Sequence, residues 1–163
     1  MLRTYCLLLS ALLLGLFTFG HANAFNCLSA NSPGTQTITE IKINNKPARE
    51  VVGLKLILPK EDTPQSATVP VGCAFVIGTV IQLPTNATIE LTSSNDNRIT
   101  LFPGSRLRIH NVSSRGETYS IETGRGLFNV KKALDFFNVS YQSFMAAVRG
   151  TIFSVEVKPE SEI

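Results

Sequence analysis

From Thr37 to Val157 the chain is cut into strand-length apolar runs by short groups of turn-forming residues, at roughly 8 to 12 residue spacing from Thr88 onward. That rhythm leaves no room for long helices. Thr37 to Ile43 alternates apolar and polar, with Ile38 on one face and, after a one-residue shift, Ile41 and Ile43 on the other. Asn44-Asn45-Lys46 supplies a turn, and Val51 to Leu58 the next strand, with a loop near Lys60 to Thr68. Val69 to Leu83, broken by Pro70, Gly72 and Gly78, reads as two short strands with a bend. Further strands are expected over Thr88 to Leu91, Ile99 to Phe102, Leu107 to Val112, Tyr119 to Ile121, Gly126 to Val130, Phe137 to Tyr141 and Ala146 to Val157. Ser93 to Asn97, Pro103-Gly104, Ser113 to Gly116 and Thr123-Gly124 are the turns between them. Val130 to Phe137 is the one stretch that could be helical, and is expected to be a turn or a lone helical turn. The pattern predicts an all-β fold, a single compact jelly-roll-like sandwich of short antiparallel strands.

The run near the carboxyl end is the most informative. Phe153, Val155 and Val157 share one face and Ser154 and Glu156 the other, the period of a half-buried strand. Gly150 interrupts the apolar residues before it, so the element is expected to bend at Arg149-Gly150 and re-enter the core at Phe153. On this reading Gly150→Val should unfold the domain.

Residues 1–24 have the form of a secretory signal peptide: Arg3, a leucine-rich run from Cys6 to Gly20, and the small-x-small end Ala22-Asn23-Ala24. The apolar run is short for a membrane span, so no transmembrane segment is expected after cleavage. The remaining chain divides into an amino-terminal arm and first strand (25–46), a β domain (47–158) and a tail (159–163). Without Arg3, fourteen basic residues face twelve acidic ones, a balance too weak to imply a nucleic-acid partner. Cys27 and Cys73 are expected to form a disulfide worth roughly 4 kcal/mol by loop closure, tying the arm to the body; two separate thiols are the alternative.

The usual catalytic constellations are missing from the sequence, and two cysteines make no zinc site. No catalytic residue, metal or cofactor is expected. Glu90, Asp96, Glu117, Glu122, Asp135 and Glu156 are expected at outward or turn positions, in water. Arg106, Arg108 and His110 share one face of a strand, about 7 Å apart, opposite Leu107 and Ile109. Such a stripe could hold a carboxylate, a sugar acid, a lipid headgroup or an acidic protein surface; equally, it could keep a sheet face soluble or guard an edge strand. Arg149, beside the bend, is a further binding candidate. The sequons at Asn86, Asn111 and Asn138 are read as chance turns.

Several segments in this order resemble the periplasmic sensor domain of the FecR family: Val51 to Leu56, Gly78 to Ile81, Thr88 to Leu91, Arg98 to Ile109 and Tyr119 to Val130. The closing Val148-Arg149-Gly150-Thr151-Ile152-Phe153-Ser154-Val155 is similar to the family's final signature, in which Gly150, Thr151, Phe153 and Val155 are structural. The turn Asn95-Asp96-Asn97 departs from the family's Asp-Gly-Ser, although Asp and Asn tolerate positive φ. The resemblance implies a free-standing periplasmic or secreted module that is not an enzyme. It would bind a protein or an anionic cell-envelope component, in signalling. The alternative is a structural or assembly component that pairs through exposed sheet edges.

Overall fold

The computed structural model describes residues 27–28, 34–131, 134–142, 144–148 and 150–158. The leader at 1–24 and the tail at 159–163 lie outside the described residues, as does Arg149. Thirteen strands follow one another: β1 (Thr35–Ile43), β2 (Lys46–Ala48), β3 (Glu50–Ile57), β4 (Gln65–Pro70), β5 (Ala74–Val76), β6 (Val80–Gln82), β7 (Ala87–Ser93), β8 (Arg98–Leu101), β9 (Arg106–Val112), β10 (Gly116–Asn129), β11 (Phe136–Tyr141), β12 (Phe144–Ala147) and β13 (Ile152–Val157). There is no helix among the described residues, and the fold is all-β.

The strands form one curled sheet in the order β2-β1-β7-β8-β10-β9-β6-β3-β4, with β5 on β1, β13 and β11 on β10, and β12 on β11. Its two ends fold over one core. Ile38, Ile89, Leu91, Ile99 and Leu101 come from one half, and Leu54, Leu56, Ile81, Leu107, Ile109, Tyr119 and Ile121 from the other. Strand alternation delivers them, since every second residue faces inward. The one-residue shift read between Ile38 and Ile41 is a β-bulge: the β1–β7 register slips between Ile38 and Glu40. Asn44 and Asn45 both have positive φ and make the tight turn into β2.

β10 departs from expectation. Tyr119 to Ile121 and Gly126 to Val130 were expected as two strands around a turn at Thr123-Gly124, yet they form one strand of 14 residues. Gly124 does turn the chain, with φ of 79°, but it bends the strand without ending it. Ahead of the bend β10 pairs with β9 and β11; beyond it, with β8 and β13. Ser105 locks the corner. Its Oγ donates to Arg125 O and accepts from Arg125 N, both at 2.8 Å.

β10 ends at Asn129, and by Phe136 the chain is back at its start, Gly116. There β11 joins it in parallel, the one parallel pair among the described strands. The described part of that link is not helical: Lys131 N donates to Asn97 Oδ1 and Asp135 N to Arg115 O. Lys132 and Ala133 lie outside the described residues. The loop expected at Lys60 to Thr68 is shorter, because β4 starts at Gln65 and buries Ala67 and Val69 by simple alternation.

Cys27 and Cys73 form a disulfide across 46 residues of sequence, and Leu28 bridges Ala74 beside it. The first described residues are thereby fixed to the edge of β5. The carboxyl-terminal run splits into β12, which pairs with β11, and β13, which pairs with β10 beyond its bend. Phe153 stacks on Phe128 at 5.2 Å between ring centroids and meets Phe137 edge-on at 6.3 Å. Val155 packs on the core and Val157 is buried.

Gly150 has φ of 53°, but a methyl group there would meet nothing within 4 Å. At Gly150, then, a Cβ meets open space, and the opposition to Gly150→Val that the structure shows is the backbone strain of a positive φ. At Gly124 a Cβ would sit 2.6 Å from Ser105 Cα and Oγ. Gly150→Val should lower stability by about 1–2 kcal/mol, and Gly124→Ala by about 3 kcal/mol or more. Urea titration of the two variants checks the order, and equal losses would contradict the assignment of β10 as the strand that joins both halves.

Candidate functional site

The cationic stripe lies where alternation places it. Arg106 and Arg108 are half-buried on the outer face of β9 and His110 is exposed, while Leu107 and Ile109 are buried. The arginines, however, share one carboxylate. Glu122 on β10 lies 2.6 Å from Arg106 Nε through Oε2 and accepts a hydrogen bond of 2.8 Å from Arg108 Nε through Oε1. The N–H of Arg106 does not point at that oxygen, so this contact is charge attraction and not a hydrogen bond. His110 Nε2 is 2.9 Å from Ser120 Oγ. Partial burial lowers the His110 pKa below 6.5, Arg108 lowers it further, and Glu122 opposes them. With Glu122 between the arginines, the stripe offers an anion less charge than its residues imply.

Glu117 requires a correction. It was expected in water and is fully buried. Its Oε1 accepts from Ser93 Oγ at 2.7 Å, Asn95 Nδ2 at 2.9 Å and Asn97 Nδ2 at 3.0 Å; its Oε2 accepts from Tyr119 OH at 2.7 Å. Four donors on one carboxylate offset the cost of removing it from water. Gln36 Nε2 donates to Tyr119 OH, which extends the chain of hydrogen bonds to β1. Burial, the neighbouring Glu117 charge and the hydrogen bond to it hold the Tyr119 phenol well above 10. The network ties the β7–β8 turn to the core. Ser93 Oγ also accepts from Asn95 N and Asn97 N, and Asp96 at the tip has φ of 61°, which serves where the family's turn has glycine. The signal was in the sequence: Glu117, Tyr119 and Ile121 are in phase, so a strand that buries Tyr119 must also bury Glu117.

Outside this turn an open cleft of about 530 Å³ is lined by Thr92, Asn95, Asp96, Arg98 and Lys131. It mixes both signs of charge. Among the described residues no three His, Cys, Asp or Glu side chains gather as a metal site.

Large apolar side chains are exposed at several places, among them Val52 of β3 at 67%, Ile152 of β13 and the adjacent Phe144 and Met145 of β12. Phe144 is 75%, Met145 66% and Ile152 64% exposed. All four residues of β12 face solvent, although β11 beside it alternates normally. Strand-pattern reasoning had merged β12 with β13 as one core strand and missed this surface. Of the named structural residues, Phe153 and Val155 face the core, whereas Thr151 is exposed and contributes its carbonyl, which accepts from Val130 N at 3.0 Å.

A family model described as FecR protein matches residues 79–163, just over half of the 163-residue chain. The chain belongs to the FecR family. The match takes in β6 to β13, hence the whole of β10 and the exposed edge; the segment Val51 to Leu56 lies ahead of it. No curated protein and no solved structure matches the chain. FecR proteins are a regulatory and sensor family, and the Cys27–Cys73 disulfide is compatible with an oxidising compartment.

Two measurements test this chemistry. Glu117→Gln puts an amide donor among the donors that face Glu117, and should cost about 2–3 kcal/mol in urea unfolding; a loss under 0.5 kcal/mol, the size of an ordinary surface change, would argue against the buried network. Because the folded pKa of His110 is lowered, its stability contribution is full above pH 6.5 and falls as pH drops through the folded value. NMR titration should give a midpoint below 6.5, moved up by Arg108→Gln and further down by Glu122→Gln.

Proposed function

We propose that this FecR-family chain is a non-catalytic module of the periplasm or cell exterior that works by binding another protein, in signalling. The observation that carries the reading is β12, whose four residues all face solvent and include the large apolar side chains of Phe144 and Met145. Phe144 and Met145, exposed on a strand that buries none of its side chains, mark an interaction site more than a folding need. The Arg106, Arg108 and His110 stripe supports an anionic envelope component less well, because Glu122 already answers its charge. The disulfide favours a place outside the cytoplasm.

Binding of this kind predicts a position-dependent outcome. A photo-crosslinking amino acid at Met145 should capture a defined protein from intact cells, while the same group at Thr39 on the far half should not. Phe144→Asp should remove the adduct without lowering the melting temperature by more than a few degrees, as expected for a surface change. Equal capture from both positions, or an adduct that Phe144→Asp leaves unchanged, would count against the reading.

A further inference from the structure

The free borders of the sheet are not alike. β2 carries Lys46 and Pro47, β4 exposes Gln65 and Ser66 and ends at Pro70, β5 is covered by the Leu28–Ala74 bridge, and β13 exposes Glu156. These are the ordinary means of preventing edge-to-edge pairing: charge, proline and cover. β12 has none. Phe144 to Val148 holds no charge and no proline, and among the described strands β12 pairs only with β11.

The register fixes which backbone groups are unused. Val148 N donates to Phe137 O at 3.0 Å, and Val139 pairs with Ala146 and Tyr141 with Phe144. In an antiparallel ladder the hydrogen-bonded pairs alternate, so Phe144 and Ala146 turn their N–H and C=O toward β11. Met145 and Ala147 turn theirs outward, where no described strand receives them.

We propose that the partner is held by strand addition, with an extended, uncharged, apolar segment of another protein pairing with the outer edge of β12. This rests on the protein-binding reading above and names its chemistry. Main-chain hydrogen bonds from Met145 and Ala147 provide the affinity, and Phe144 on one face of the strand and Met145 on the other receive alternate side chains of the segment. Size favours such a segment over a second copy of this chain. The two exposed side chains offer roughly 300 Å² per copy, so two copies would bury about 600 Å², a crystal-packing value short of the roughly 1,200 Å² of a stable dimer. The absence of charge argues against an acidic or basic segment.

The probe is a library of random linear peptides displayed on phage and selected on the full chain. Selected peptides should be rich in β-branched and aromatic residues and poor in charge, and should slow amide exchange at Met145 and Ala147. Ala147→Pro removes an outward N–H and leaves every β11–β12 bond intact, and should weaken binding about tenfold or more. If Ala147→Pro unfolds the domain, the selected peptide N-methylated at alternate amides carries the test: one phase of methylation should abolish binding and the other should not. Binding that survives Ala147→Pro and both phases but is lost in Phe144→Asp would overturn strand addition while leaving protein binding intact. Failure to enrich any peptide would overturn it too. So would a wild-type dimer that Ala147→Pro converts to monomer, because the occupant would then be a second copy.

Discussion

The bend of β10 at Gly124 is the constraint on which the rest depends. Only because Ser105 closes against Gly124 with no Cβ between them can one strand belong to both halves of the sheet. That single strand orders its neighbours. β8 and β13 take the arm beyond the bend, β9 and β11 the arm before it, and each arm sends an aromatic side chain into the shared core. Tyr119 and Phe128 approach to 6.3 Å, and Phe137 of β11 lies 5.6 Å from Tyr119 and 6.1 Å from Phe128. Rings at such separations add about 0.5–1.5 kcal/mol per pair beyond their burial. The two halves are thereby joined through side chains as well as through backbone.

The polar network is the second consequence of that geometry. The core near β7 and β8 must accommodate the carboxylate of Glu117, because β10 cannot bury Tyr119 and Ile121 without burying the residue in phase with them. The Ser93 to Asn97 turn meets this demand with one hydroxyl and two amides, and in return its own shape is fixed. A buried carboxylate with too few donors would cost several kcal/mol, so turn and strand are mutually dependent. This places a rigid corner directly behind the open cleft at Asn95.

Much of the architecture was legible, and the errors share a cause. Alternation located most strands, the Ile38–Ile41 phase shift marked the bulge, and the arginine stripe fell on the face its spacing required. Period-2 reasoning places side chains on faces but does not say whether a glycine ends a strand or bends it. At Thr123-Gly124 it ended the strand wrongly. Between Ala146 and Val157 it ran two strands together, because Met145 and Ala146 are as apolar as Phe153 and only the partners of β12 and β13 tell them apart. Glu117 was misplaced for a different reason: its charge outweighed its phase, although phase decides burial once neighbouring residues are committed to the core.

The exposed edge follows from the same separation of roles. In the closing segment, Phe153, Val155 and Val157 complete the core, and the family signature from Gly150 to Val155 accounts for that packing. Phe144 and Met145 lie just ahead of it, on a strand that buries none of its side chains, and they contribute little to folding. Exposed aromatic and thioether groups on an unguarded edge increase the risk of aggregation. A fold that guards its other borders with lysine, proline, glutamate and a disulfide-anchored bridge does not need that risk for its own stability. On the proposed reading a second protein removes those groups from water, and the β11–β12 ladder, anchored to the core through Phe137 and Val139, holds the edge that receives it.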